Sequence, residues 1–443
     1  MINMRCFSAT YLLLVAFGLA VPAAAQTQLT LTDAIARARA RNPDAGSSAA
    51  AEREAAQRVT QARAGYWPKV DVAESWQRGN QPVFVFSSLL AQRQFTAANF
   101  ALGVLNHPDA LDNFRVALTV EQPLFDGVAR ANITVARIGH EMANATRQVV
   151  DQDLTASVTA AYGRVLAAAG ARRSADAALD TARADRELAG NRRDAGLVTD
   201  ADVLQIDVHL SRTREQQIVA AADERIARLR LNQLMSVPLG EAFLLEPAPA
   251  VANIDTTDLA GLETEAIKNR PDVMFAGLQE ELARANQTAA RAAFLPKVSA
   301  QGGWELNGGA WNSRAPGWIV GAVARVNLFN GLADKARLAE AADRATRHAL
   351  ERDKAETAAR LDVHVAVARL DAARANEAVG RDAVAQALES RRIIRDRYEA
   401  GLTDVASLLR SAEAVAQADA QQVAAHVAVL TASADLQRAL GRR

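Results

Sequence analysis

The chain has 443 residues, half of them hydrophobic but only 5% aromatic, and its 51 Lys+Arg are balanced by 51 Asp+Glu. Much of the apolar share is alanine, which buries little area, favours helix and lets helices approach closely, so long packed helices fit better than a thick globular core. A neutral balance carries no electrostatic footprint for nucleic acid.

The N-terminus reads as an export signal over residues 1–25. Arg5 is the positive region, Ala9 to Val21 form the apolar run, and Ala23-Ala24-Ala25 precede Gln26 as a small-residue cleavage site. That run is too short to anchor the chain as a membrane helix. Cys6, the single cysteine, leaves with it, so no disulfide, thiol ligand or lipid-bearing cysteine is expected. After residue 25 no apolar run is long enough for a membrane helix, so a spanning chain must use a β-barrel.

The mature sequence then runs through the same marks twice. Leu31 to Asp44, ending Arg41-Asn42-Pro43-Asp44, is echoed by Leu262 to Asp272, ending Asn269-Arg270-Pro271-Asp272. Trp67-Pro68-Lys69-Val70 is echoed by Leu295-Pro296-Lys297-Val298, and Leu124-Phe125-Asp126-Gly127 by Leu328-Phe329-Asn330-Gly331. Gly196-Leu197-Val198-Thr199-Asp200 is echoed by Gly401-Leu402-Thr403-Asp404. A repeat of this order divides the chain into 26–236 and 260–443, joined by an irregular linker over 237–259 that holds Pro247 and Pro249.

Each half predicts one series of elements. A helix follows the Asn-Pro or Arg-Pro mark and breaks before Pro68 or Pro296, because the residue before proline leaves the α region. Alternating strands are expected over about 69–77, 114–124, 297–306 and 316–328, long enough to cross a bilayer when tilted. The extra segment between Trp76 and Phe114 is expected as an external loop. Its Pro82-Val83-Phe84-Val85-Phe86 run also suits a strand. Long helices follow, from about Ala129 to Ala195 and Ala333 to Ala400, each roughly 100 Å long at 1.5 Å per residue. No compact domain buries such a helix; it needs a coiled-coil partner, which the chain supplies by turning back at Gly196 and Gly401.

In order and spacing these features resemble the TolC-like outer-membrane efflux family across nearly the whole mature chain. Phe125-Asp126-Gly127 and Phe329-Asn330-Gly331 look like its strand-to-helix signature. Arg192-Arg193-Asp194-Ala195-Gly196 and Arg397-Tyr398-Glu399-Ala400-Gly401 look like its periplasmic turn motif, with Arg193 standing where tyrosine is usual. The resemblance implies a mainly α fold with a membrane β-barrel. Long antiparallel coiled-coil helices form a periplasmic α-barrel, and a homotrimer gives four strands per chain to a 12-stranded barrel in outer-membrane lipid. It further implies a periplasmic adaptor protein and an inner-membrane efflux pump or ABC exporter as partners.

The tips are the expected docking surface: Arg192, Gly196, Leu197, Val198, Thr199, Arg397, Tyr398, Gly401, Leu402 and Thr403. Leu197, Val198 and Leu402 are expected to stand exposed there. The same turns also suit plain helix capping. Asp202, Ser407 and Arg410 are candidates for a pore constriction. Some members carry acidic residues six and nine positions after the second turn glycine, and Ser407 and Arg410 occupy those positions here.

No catalytic, cofactor or metal constellation is present in the sequence, and its six histidines are scattered. The function that the resemblance implies is export from the periplasm or an inner-membrane pump, as part of a tripartite efflux or type I secretion system, and not an enzymatic one. A non-transporting coiled-coil scaffold would use the helices but leaves the duplicated strand module unexplained. A soluble adaptor would show one helical hairpin where two are expected.

Overall fold

Capping side chains start three of the four longest helices among the described residues, through Asp126, Thr199 and Asp404. The computed structural model describes residues 27–246 and 254–442. The signal reading over 1–25, with Cys6, and the prolines Pro247 and Pro249 lie outside these residues. The first half opens with β1 (Thr27–Leu29), α1 (Leu31–Arg41) and α2 (Pro43–Ala64). Asn42 breaks the helix at the Asn-Pro mark and caps α2 by accepting from Asp44 N, with Pro43 in the first turn, where its missing N–H costs nothing. Strand β2 (Lys69–Gly79) follows, then α3 (Pro82–Ala91), a single 3₁₀ turn, α4 (Leu102–Asn106) and β3 (Leu111–Phe125). Helices α5 (Gly127–Asp194) and α6 (Asp200–Leu234) form the first long hairpin.

The second half repeats this after β4 (Phe243–Leu245). It runs α7 (Leu259–Asn269), α8 (Pro271–Ala292), β5 (Lys297–Ala310), β6 (Ser313–Arg325), α9 (Ala333–Glu399) and α10 (Val405–Ala439). Two expectations change. The stretch 82–86, expected within an external loop with a strand as the alternative, is helical. The supposed irregular linker carries β4, which pairs in parallel with β1 from the start of the described chain. Tyr162 locks this junction from α5: its buried hydroxyl lies 2.9 Å from Leu29 O and 2.6 Å from Glu246 O. Burial pushes the phenol up to about 12, so it stays protonated.

The four longer strands form one antiparallel sheet in the order β2-β3-β5-β6. They reach further outward than expected, and β6 ends at Arg325 rather than 328. Below the sheet α5 runs between α2 and α8, and α8 also packs on α9. Further along, α5 lies between α6 and α10, and α10 packs on α9. Glycines permit the closest approaches: a Cβ on Gly170 would fall 2.7 Å from a Val423 methyl. Among the described residues three buried clusters hold the fold: the girdle around Leu29 and Tyr162, its counterpart around Leu370 and Leu436, and one near the hairpin tips. No helix among the described residues is long and apolar enough to cross a membrane.

Candidate functional site

The two hairpin tips are built alike and lie against each other. In each, the glycine takes a left-handed φ, +72° at Gly196 and +73° at Gly401. This lets Leu197 N donate to Arg192 O and Leu402 N to Arg397 O, both at 2.8 Å, closing the helix ends. The returning helices start from caps. Thr199 and Asp202 form a reciprocal capping box, and Asp404 accepts from Ser407 N at 2.8 Å. Bonds from the Thr199 backbone and hydroxyl hold the Asp202 carboxyl below the usual range, and bonds from Ser407 do the same for Asp404.

Between the tips Arg192 lies over the Tyr398 ring, 5.1 Å from its centroid, and donates to Glu399 O at 2.6 Å. Tyr398 is buried among Ala189, Val203, Ile206, Val405 and Leu408. So Arg192 and Tyr398 tie one hairpin to the other, with Tyr398 buried and Arg192 half-buried. Val198 is half-buried, against expectation, because its chain turns back towards the bundle; Leu197 and Leu402 stand 65% and 68% exposed. Arg397 is exposed, Thr403 partly so. The candidate constriction residues are dispersed in role. Asp202 is held in its cap, while Arg410 is exposed, bonds Ser407 Oγ at 3.1 Å, and lines an open groove of about 620 Å³ with Leu204, Val208 and Leu409.

The sequence reading missed a buried ion pair roughly three turns above the tips. Asp185 of α5 and Arg391 of α9 meet at 3.0 Å with side-chain exposures of 1% and 13%. Asp185 Oδ1 and Arg391 Nη1 find no further partner. His209 sits in the field of this pair, and burial pushes its imidazole below the ordinary value. The only signal was an arginine at the apolar spacing of α9, inside a run of other arginines.

The strand-to-helix marks differ between halves. Asp126 caps α5 through Val128 N and Ala129 N, accepts Lys297 at 3.2 Å, and its carbonyl takes the Tyr66 hydroxyl at 2.6 Å. Gly127 is the first residue of α5, against Ala292. Gly331 instead takes φ +68°, and Phe329 is exposed, whereas Phe125 belongs to β3.

The sheet has two chemically distinct faces. Register places Asp71, Ser75, Gln77, Asn113, Arg115, Thr119, Glu305 and Asn307 on one, with an Arg115–Glu305 ion pair at 2.8 Å. The other carries Val70, Val72, Trp76, Phe114, Val116, Leu118, Trp304, Leu306, Trp318 and Val320. Its charges are paired, Arg78 with Asp112 at the strands' outer ends and Glu74, midway along β2, with Arg314 near the start of β6. This alternation is that of a membrane barrel wall, apolar to lipid and polar to the lumen. No group of acidic, histidine or cysteine residues suited to a metal ion occurs among the described residues.

The outer membrane efflux protein family matches residues 34–237 and 262–442. The chain belongs to that family. It is 28% identical to protein CyaE of Bordetella pertussis over 88% of this chain and 79% of that relative. It is 27% identical to the pyoverdine export outer membrane protein OpmQ of Pseudomonas aeruginosa, over 75% of this chain and 71% of OpmQ. The fold is similar to VceC of Vibrio cholerae, with TM-score 0.78, 19% identity and coverage of 93% and 96% of the two chains. It is likewise similar to the CmeC outer membrane channel of Campylobacter jejuni, with TM-score 0.79, 15% identity and coverage of 93% and 85%. The protein is thus an outer-membrane channel-family member with a large periplasmic part, and family and fold are those of channels rather than enzymes.

Proposed function

We propose that three copies of this chain close into one channel-tunnel that exports solutes as part of a tripartite efflux or type I secretion system. The observation that carries this reading is that one side of the chain is left open along its whole length, and the opposite side is open to match. The sheet ends in unpaired β2 on one side and β6 on the other. On the β2 side α2 and α6 have free flanks, and α6 exposes Leu204, Val208, Ile218 and Val219. On the β6 side α9 is free and exposes Leu361, Val365, Val379 and Leu388. A sheet edge inside lipid leaves backbone groups unsatisfied, which a head-to-tail neighbour cures, and such an interface forms a ring when its rotation closes. Three copies make twelve strands, and export is the activity that OpmQ's name states for that relative.

The repeats bracket the tunnel as 26–236 and 260–443, joined across 237–259. The ring of tips, with Leu197 and Leu402 outermost, is the surface that meets a periplasmic adaptor, which links the tunnel to an inner-membrane pump or ABC exporter. Exposed leucines at a tip favour a covering partner. Ser407 and Arg410 stand where the narrow end of such a tunnel lies. Cross-linking in native membranes is expected to give a ladder ending at three, and the purified protein to conduct in planar bilayers. A dominant dimer, or a trimer that never conducts, would leave the scaffold reading in its place. Leu197→Asp with Leu402→Asp is expected to abolish export while trimers persist. Unchanged export would leave the turns as caps alone.

A further inference from the structure

The insertion in the first half folds onto the sheet, and the face it chooses is informative. Helix α3 presents Val85, Ser88 and Gln92, at helical spacing, as its buried side. Gln92 Nε2 donates to Asp112 O at 2.9 Å and to Asn113 Oδ1 at 3.1 Å, and Asn113 Nδ2 donates to Asn307 Oδ1 at 3.0 Å. Arg93 donates to Pro316 O at 2.9 Å, and a Cβ on Gly79 would lie 3.5 Å from the Phe84 ring. Gly79, Asn113 and Asn307 all belong to the polar face of the sheet. The helix therefore crosses the outward ends of β3, β5 and β6 on the side that lines the lumen, not on the side that meets lipid.

Its other face carries Val83, Ser87 and Leu90, with the Ser87 hydroxyl turned back to donate to Val83 O at 2.8 Å. Val83 is 81% exposed and Leu90 is half exposed, and beyond the helix Phe100 and Leu102 are exposed as well. Phe95 stacks edge-on between Phe86 and Phe100, at 4.9 Å and 5.0 Å, which fixes the following loop against the helix. The space available then decides what covers this face. Twelve strands about 4.8 Å apart and tilted about 40° enclose a ring roughly 24 Å across. That diameter runs between strand backbones, and each helix is itself about 10–12 Å wide with its side chains, so three helices on this wall leave no open lumen between them.

We infer that three copies of α3 meet at the barrel axis and form an apolar plug at the outer mouth, with Val83 and Leu90 at the contact. The occupant of the exposed face is thus the same face of the two neighbouring copies. The inference rests on the trimeric reading above. In this closed state the outer mouth excludes water and polar solutes approaching from outside, and export has to displace the helices. The polar contacts through Gln92 and Arg93 are few enough to break during passage, and they guide the helix back to one seat.

Two measurements test this in the full-length protein. Leu90→Cys and Val83→Cys chains, oxidised in native membranes, are expected to form disulfide-linked pairs, whereas Ser88→Cys, facing the sheet, is not. Chemical cross-linking of the same samples reports the trimer independently. A trimer ladder without disulfides at either position overturns the plug but not the trimer, and no trimer overturns the reading beneath it. Second, Thr119→Cys lies deeper on the lumen face. A bulky impermeant maleimide added outside intact cells is expected to label it at least tenfold faster when Val83→Asn and Leu90→Asn hydrate the plug. Equal rates with and without these substitutions would also overturn the plug.

Discussion

Replacing Arg391 by alanine removes the partner of a carboxylate that has almost no access to water. Asp185 is 1% exposed, its Oδ2 sits 3.0 Å from Arg391 Nη2, and its Oδ1 has no bond of its own. Solvent cannot replace the lost guanidinium without opening α5 from α9. Removing one member of such a buried pair costs about 3–5 kcal/mol, because an uncompensated charge is left behind. At about 1.4 kcal/mol per factor of ten, local opening of the lower bundle should rise by about two to three and a half orders of magnitude. Hydrogen exchange of detergent-solubilised protein, followed at amides near 185 and 391, reads this directly. Replacing both members, Asp185→Leu with Arg391→Met, should return exchange close to the parent, since an apolar pair of similar volume avoids the desolvation cost. Unchanged exchange in Arg391→Ala, or a double variant as open as the single, would refute the reasoning.

Three further outcomes follow from groups near the tips and the girdle. Burial depresses the His209 imidazole below its unfolded value of about 6.5, so the unfolded chain takes up the proton first. Stability contributed by neutral His209 is present above about pH 6.5 and is lost as pH falls towards the depressed value. Thermal unfolding midpoints should therefore drop on acidification through this window, and His209→Gln should flatten the slope. Tyr162→Phe removes the hydroxyl between Leu29 O and Glu246 O and should cost about 1–2 kcal/mol. Faster tryptic cleavage at Arg37, Arg39 or Arg41 would report the loosened girdle. Thr199→Ala leaves Asp202 N and the first turn of α6 uncapped, for about 1 kcal/mol, and should raise amide exchange over 200–204 only.

The duplicated marks made the joints of the fold legible because each is a local chemical instruction. Proline after Asn42 or Arg270, glycine at 196 and 401, and Asp126, Thr199 and Asp404 as caps act within three or four residues. What they did not reveal depends on distant neighbours. Val83-Phe84-Val85-Phe86 has strand propensity, yet it is helical because Val85, Ser88 and Gln92 find the sheet at helical spacing. Strand β4 is three residues of a proline-rich stretch, visible only once β1 lies beside it. The arginine cluster near the end of α9 reads as solvated, and Arg392 and Arg395 do make exposed pairs within their own helix. Arg391 differs only in facing α5, which requires knowing the register between two helices more than sixty residues long. At the tips, the turn chemistry was readable, but the fate of Arg192 and Tyr398 was not, since each is defined by the other hairpin.

The two strand-to-helix glycines carry the same mark in sequence and answer to different physics, and this difference is testable. At Gly127 the constraint is space: an added Cβ would lie 3.1 Å from Ala292 Cβ and 3.4 Å from Leu295 Cδ1, where α5 starts beside the end of α8. At Gly331 there is nothing within 4 Å of an added Cβ, and the constraint is the backbone, at φ +68°. Gly127→Ala should thus destabilise by crowding, about 1–3 kcal/mol, and Ala292→Gly should recover most of it by clearing the contact. Gly331→Ala should cost about 1–2 kcal/mol through the left-handed conformation alone. Ala292→Gly should not help it, whereas Gly331→Asn should be milder than alanine, since asparagine visits that region more readily. The midpoint of thermal unfolding for each purified variant separates the cases. If Ala292→Gly failed to rescue Gly127→Ala, or rescued Gly331→Ala equally, the division of roles between the two halves would be wrong.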